Sequence, residues 1–167
     1  MMSRRATFFR SLIKAGVLLG PIALAATPAT PALADSGPAQ VLYIFPGVKD
    51  DGAAIGAGVA TSVHCFSFSS TTETIQIVVR NFNGTLAVNA STTINFLVTK
   101  TISTHGTNIY NEDVILGTGL VDQGSLGITA TSTNIVCTAQ VLDASTTAPN
   151  GFDLHAVRFN PISGNQE

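Results

Sequence analysis

The sequence has little charge and no tryptophan. Asp, Glu, Lys and Arg make up 11% of its 167 residues, whereas about 25% is ordinary for a globular protein. Beyond residue 34 the only cations are Lys49, Arg80, Lys100 and Arg158. Four scattered cations form no basic stripe, so nucleic acid and anionic membranes are excluded as expected partners.

The first 34 residues have the order of a cleaved bacterial-type signal peptide. Four cations precede an apolar run over residues 15–26, and an Ala-Leu-Ala site follows at residues 32–34. The run is shorter than the roughly 20 apolar residues of a membrane span, and Gly20 and Pro21 interrupt it. We expect cleavage before Asp35, no membrane span afterwards, and a periplasmic or extracellular location. The secretory route is favoured, and the twin-arginine route stays open.

Cysteine is scarce as well. The chain has two, Cys65 and Cys137, which excludes a four-cysteine zinc site and a disulfide framework. In an oxidising compartment such a pair predicts one disulfide. The mature chain sets 4 cations against 10 acidic residues, a formal charge of −6, so Ser, Thr and Asn must supply much of its polar surface.

Helical periodicity is absent beyond the predicted signal peptide. Short segments rich in Val, Ile, Thr and Phe alternate with Gly, Asn, Asp and Pro, a pattern typical of antiparallel strands. This predicts an all-β fold, a single antiparallel β-sandwich of about seven or eight strands that is immunoglobulin-like in outline. The candidate strands are residues 41–45, 59–68, 74–82, 85–88, 93–102, 125–131, 134–143 and 152–159.

Alternation within these segments predicts which side chains face the core. Asn83-Gly84 predicts a hairpin between the third and fourth segments, because both residues tolerate positive φ. Cys65 and Cys137 share rows with core residues, which supports their pairing. The predicted inward rows are Ile75, Ile77 and Val79; Ile94, Phe96 and Val98; and Ile135, Cys137, Ala139 and Val141.

The likeness to the immunoglobulin fold is limited to the general outline of the sandwich. Two cysteines on an early and a late strand resemble the bridge between the sheets of that fold. No tryptophan is present, and Ile135 replaces the tyrosine two residues before the second cysteine. We divide the chain into the signal peptide (1–34), an N-terminal strand with a Gly-rich loop (35–57), the sandwich core (58–160) and a frayed tail (161–167).

Residues 103–124 form the longest predicted connection, and loops of that length are usually functional or disordered. Binding residues concentrate on loops held by a rigid scaffold, so this loop is the candidate contact surface. In the alternative, Ile109, Val114 and Leu116 fold the loop back over the sheet and Tyr110 is a packing residue. The candidate contact residues are His105, Asn108, Tyr110, Glu112 and Asp113.

Reactive motifs are scarce too. The histidines at positions 64, 105 and 155 have no metal-motif spacing, and the acidic pairs at 50–51 and 112–113 lack the calcium-loop register. The Gly-rich loop 50–58 runs into a strand and ends in no Lys-Ser/Thr, unlike a phosphate-binding loop. We therefore expect no catalytic residue, no cofactor and no metal site.

Four segments resemble a family of short exported bacterial proteins of unknown function: GVATSVHC (58–65), TISTHGTNIYNEDVILGTGLVDQG (101–124), TSTNIVCTAQVLDA (131–144) and FDLHAVRFNP (152–161). The likeness covers most of the chain from about residue 58 onward. It implies the same plan of a signal peptide and a β domain with paired cysteines, and it brings no ligand or catalytic residue.

These observations predict an exported, non-catalytic β-sandwich with a binding, adhesive or envelope-structural role. Its expected partner is a protein or glycan of the cell envelope. One alternative is a self-assembling subunit of a surface polymer, joined by strand addition at a sheet edge. Another is a hydrolase or metal-dependent enzyme that uses His105, Tyr110, Glu112 and Asp113.

The first prediction concerns cleavage at the Ala-Leu-Ala site. Sequencing the N-terminus of the exported protein should give Asp35, because small residues at 32 and 34 fit the signal peptidase site. An intact Met1 on exported protein would contradict the assignment.

Overall fold

The computed structural model describes residues 40–148 and 150–159. The predicted signal peptide, the start of the predicted N-terminal segment at 35–39 and the predicted tail at 161–167 lie outside these residues. None of the described residues is helical, which confirms the all-β prediction. The strands formed by the described residues are β1 Gln40–Asp50, β2 Val59–Ser67, β3 Glu73–Arg80, β4 Leu86–Ile94, β5 Thr99–Ser103, β6 Val114–Ile115, β7 Val121–Ala130, β8 Ile135–Asp143, β9 Gly151–Leu154 and β10 Val157–Arg158.

The strands form a sandwich of two five-stranded sheets. Sheet A has the order β10-β1-β7-β3-β4, and sheet B has the order β6-β5-β2-β8-β9. All pairings are antiparallel except β5 with β6, which is parallel. The inner faces enclose one apolar core, to which β1 contributes the fully buried Leu42 and Phe45. The sandwich therefore begins at β1 and not at residue 58, the boundary drawn from the sequence.

Most predicted inward rows are confirmed. Ile75, Ile77 and Val79 of β3 are fully buried, and the β8 row that contains Cys137 is buried too. The hairpin at Asn83-Gly84 is also confirmed, because β3 pairs with β4 and Gly84 has a φ of 82°. The fourth strand is longer than expected, since its polar Asn, Ser and Thr residues continue the pairing to Ile94.

The predicted single strand over residues 93–102 is wrong. It divides into the end of β4 and the start of β5, which belong to different sheets. Leu97, at a left-handed φ of 57°, lies in the turn between them. Ile94 is buried as expected, but Phe96 is 51% and Val98 is 37% exposed, because the chain has already left the sheet.

The predicted last strand over 152–159 also divides. β9 pairs with β8 in sheet B, whereas β10 pairs with β1 in sheet A. The chain crosses between the sheets at His155 and Ala156, where strand pairing is interrupted. The division of the last segment and the two-residue β6 raise the strand count from the eight candidate segments to the ten strands of the described residues.

The predicted disulfide between Cys65 and Cys137 is confirmed. The two residues lie directly opposite each other in the β2–β8 pairing, with their Cα atoms 4.1 Å apart. The bond therefore joins neighbouring strands of one sheet. The comparison with the bridge between immunoglobulin sheets is wrong on this point, because β2 and β8 are adjacent in sheet B.

The second prediction concerns the disulfide, which links two residues 72 positions apart in the chain. Reduction should lower the free energy of unfolding by about 4 kcal/mol, because the unfolded chain regains loop entropy. Urea denaturation with and without reductant measures the change. Reductant should not affect the control variant Cys65→Ala/Cys137→Ala, and an unchanged midpoint in the native chain would contradict the prediction.

Candidate functional site: the covering loop and the Asp50 network

Residues 104–113, here called the covering loop, lie over the outer face of sheet B. Val63 and Cys65 of β2 point into the main core, so Ala60 and its alternate neighbours point outward. Ile109 and Tyr110 of the loop pack against a second buried cluster of Ala60, Leu142 and Ala144. The loop is thus held to the sheet by apolar contact as well as by hydrogen bonds.

Tyr110 is half-buried between the loop and the sheet. Its ring meets the His64 ring edge to face, with centroids 4.5 Å apart. Its hydroxyl accepts a hydrogen bond from the Gln140 side-chain amide. Burial lowers the pKa of His64, and the charge of Glu112 opposes that shift. These contacts agree with the alternative in which Tyr110 packs under the loop.

Glu112 closes the loop on itself. Its Oε1 accepts from the backbone N–H of Thr107 at 2.8 Å and from the Thr107 hydroxyl at 2.6 Å. The Ser103 hydroxyl is 3.3 Å from the same oxygen and 2.6 Å from the hydroxyl of Ser62 on β2. The carboxylate therefore connects the loop to the outer face of the sheet.

Asn108, near the middle of the covering loop, and Asp113, at its end, both bond to neighbouring segments. The Asn108 side-chain amide donates to the carbonyl oxygens of Gly56 and Ser145. The Asp113 carboxylate accepts from the Thr101 backbone N–H and from Lys100, each at 2.9 Å. These two hydrogen bonds lower the pKa of Asp113. Both side chains are bonded within the protein, although both residues are exposed.

His105 is buried and points away from the outer face. Its Nδ1 lies 3.0 Å from Asp50 Oδ1, and its Nε2 lies 3.0 Å from the carbonyl oxygen of Ala57. Each ring nitrogen thus faces a hydrogen-bond acceptor. Asp50 also accepts from the Gly52 backbone N–H and the Thr118 hydroxyl. We call this set the Asp50 network.

The Gly-rich loop between β1 and β2 is held in place by Asp51. This carboxylate accepts from the backbone N–H groups of Ala53 and Val59. A Cβ at Gly58, where φ is 67°, would lie 2.2 Å from Asp51 Oδ2. Gly58 is therefore required for this approach, and the Asp51 hydrogen bonds order the loop.

Asp50, Asp51 and His105 form the grouping among the described residues that could hold a metal ion, with ligand atoms within 4.8 Å of one another. Both oxygens of each carboxylate and both nitrogens of the ring already have hydrogen-bond partners. A metal ion would displace several of these bonds. The arrangement is thus explained by structural hydrogen bonding alone.

The sequence did not predict an exposed apolar surface at one end of sheet B, here called the apolar end. The backbone of Leu97 and Val98 bonds to Ser67 of β2, and Phe68 bonds to Asn134 beside β8. These backbone hydrogen bonds place several residues with exposed apolar side chains at the same end of the sheet. The apolar end consists of Phe68, Phe96, Leu97, Val98 and Val136.

No family model matches this chain, and no curated protein matches it. The resemblance to short exported bacterial proteins therefore stays a prediction. A solved structure described as Thermotoga maritima 1070 has 13% identity and a TM-score of 0.46, over 71% of this chain and 95% of that one. An exo-beta-agarase has 11% identity and a TM-score of 0.32, over 73% of this chain and 19% of that one. Both scores are too low to carry an argument about function.

The third prediction concerns the Asp50 network. Asp50→Ala should lower the free energy of unfolding by about 3 kcal/mol, because it leaves a buried histidine and two part-buried donors without their acceptor. The matched control is Asp122→Ala, which removes an exposed ion pair with Lys49 and should leave stability nearly unchanged. Urea denaturation of both variants measures the difference, and equal effects would contradict a structural role for Asp50.

Proposed function

We propose that this chain is an exported, non-catalytic binding module that docks on a protein of the cell envelope through its apolar end. The exposure of Leu97 in a left-handed turn is the observation that carries the proposal. An L-residue other than Gly, Asn or Asp in this conformation costs about 1 to 2 kcal/mol. Such strain concentrates at functional sites.

The apolar end supports docking because its side chains are large and uncharged. Leu97 is 61% exposed and its neighbour Phe96 is 51% exposed. Contiguous exposed apolar surface on a soluble domain marks an interaction site. Neither residue belongs to the buried apolar core, so contact with a partner would bury apolar area that folding leaves exposed.

The composition of this surface favours a protein partner. Its five side chains have no hydrogen-bonding group with which to bind the hydroxyls of a glycan. None of them is a cation, and the net charge of −6 expected for the mature chain would oppose approach to an anionic membrane. An apolar protein surface matches both properties.

The hydrogen bonds of the potentially reactive side chains support the non-catalytic part of the proposal. The covering-loop carboxylates and the ring of His105 are bonded to protein donors and acceptors. Among the described residues no buried side-chain nitrogen or oxygen lacks a hydrogen-bond partner. A catalytic group would need an atom available to the substrate.

Export is part of the same proposal. The Cys65–Cys137 disulfide is compatible with an oxidising compartment. No helix among residues 40–148 and 150–159 has the length and apolarity to cross a membrane. The N-terminal segment, with its signal-peptide pattern, supplies the remaining support.

The fourth prediction tests the apolar end. Phe96→Ser/Leu97→Asn should reduce capture of envelope proteins by the immobilised exported protein at least about tenfold, since aromatic and aliphatic anchors dominate binding energy. Its melting temperature should stay the same or rise, because Asn tolerates a left-handed φ better than Leu. The matched control is Phe82→Ser/Leu120→Asn, which changes two exposed apolar residues outside the apolar end.

The result supports docking when capture is lost in the first variant and kept in the control. Equal capture by both variants, or no capture by the native chain, would overturn the proposal. Tyr110→Ala and Asp113→Ala test the covering loop in the same assay. Loss of binding at unchanged stability would assign the contact surface to the covering loop instead, and a stability loss in Tyr110→Ala would assign the loop to the scaffold.

The enzyme alternative is tested on the same purified protein. A metal-dependent enzyme requires side chains that bind the metal ion, and Asp50, Asp51 and His105 would provide them. A stoichiometric divalent metal that Asp51→Ala removes would overturn the non-catalytic proposal.

A further inference from the structure

The four sheet edges formed by the described residues are unequal. At the edges of sheet B, β6 has two residues and β9 has four. In sheet A, β10 has two residues at one edge, whereas β4 at the other edge has nine. An edge strand has backbone N–H and C=O groups that point away from its single neighbour, so length sets how many bonds a new strand can form.

From Val88 to Ile94 the β4 strand also lacks the features that protect an edge, and the one irregularity in its pairing with β3 lies between Leu86 and Val88. Natural edges are blocked by lysine, proline, inward charge or a covering segment. The sequence of β4 is LAVNASTTI, which contains no charged residue and no proline. Its neighbour is β3 alone. The strand is therefore a ready template for strand addition.

We infer that β4 pairs with β4 of a second copy of this chain, antiparallel and centred on Ala90, to form a dimer with a continuous ten-stranded sheet. This register places Leu86 opposite Ile94 and Asn89 opposite Ser91 of the second copy. Residues directly opposite in an antiparallel pair lie on the same face. Exposed polar side chains therefore meet on the outer face, and Val88 meets Thr92 on the inner one.

The antiparallel register is self-complementary, because every pair of opposite residues occurs twice, once in each direction across the contact. The contact is therefore two-fold symmetric.

A two-fold contact closes on itself and ends at the dimer. Growth into a polymer would need β4 to pair with a different edge, and the other edges in the described part of the chain offer at most four residues. The inference thus deepens the strand-addition alternative and replaces the polymer with a closed dimer. It does not depend on the proposed apolar docking surface.

The fifth prediction uses charge at positions 89 and 91, both exposed in the monomer. Light scattering of the purified exported protein over a dilution series should show a mass that rises from monomer to dimer. Asn89→Lys/Ser91→Lys places lysines opposite each other across the interface and should raise the dissociation constant at least about tenfold. Mixing it with Asn89→Asp/Ser91→Asp should restore a mixed dimer.

A third variant reports the register. Asn89→Asp/Ser91→Lys is self-complementary in the antiparallel register and should dimerise alone, whereas a parallel pair would set Asp against Asp. The control Asn134→Lys/Thr138→Lys adds the same charge to two exposed positions, one just before β8 and one within it, and should dimerise like the native chain. A native chain that stays monomeric at every concentration, or unchanged dimerisation of the double-lysine β4 variant with intact circular dichroism, would overturn the inference.

Discussion

The pairing of β2 with β8 is the constraint on which sheet B and its outer face depend. The two strands pair over nine positions without a register shift, and Cys65 opposite Cys137 fixes that register covalently. A slip of one residue would exchange the two faces of β2. His64 and Ser62 would then enter the core, and the surface on which the covering loop rests would be lost. The disulfide therefore fixes the sheet and the position of the loop above it.

The Asp50 network holds the loops in place at the other end of β2. Asp50 ends β1 in sheet A, whereas His105 follows β5 in sheet B, and their hydrogen bond connects the sheets. The Thr61 hydroxyl connects them again, since it bonds to both the N–H and the C=O of Lys49. Because these groups are buried, an unpaired carboxylate or imidazole there would be costly. The polar loop residues consequently serve the fold, and their position in a long loop is weak evidence of a binding role.

The sequence predicted the features that depend on local alternation of apolar and polar residues. It did not predict the features that depend on contacts between distant parts of the chain. The period of two placed Ile75, Ile77 and Val79 in the core, and Asn83-Gly84 predicted the hairpin. The division at Leu97 was missed because the apolar alternation continues from Ile94 through Phe96 and Val98, although the chain changes sheets. The Asp50 to His105 bond joins residues 55 positions apart, and no local pattern encodes such a distance. An adjacent pair of aspartates before a Gly-rich loop was the one available signal.

The two proposed surfaces are related by the geometry of β4. The apolar end begins directly after Ile94, the last residue of this strand. In the antiparallel dimer Ile94 of each copy lies opposite Leu86 of the other, so the two apolar ends lie at opposite ends of the paired strands. Nine residues of strand span about 30 Å. A dimer would thus present two docking surfaces about one strand length apart. Two linked sites raise apparent affinity only when the partner displays matching sites at that spacing, so a weak apolar contact would become selective for a repeated or clustered envelope protein.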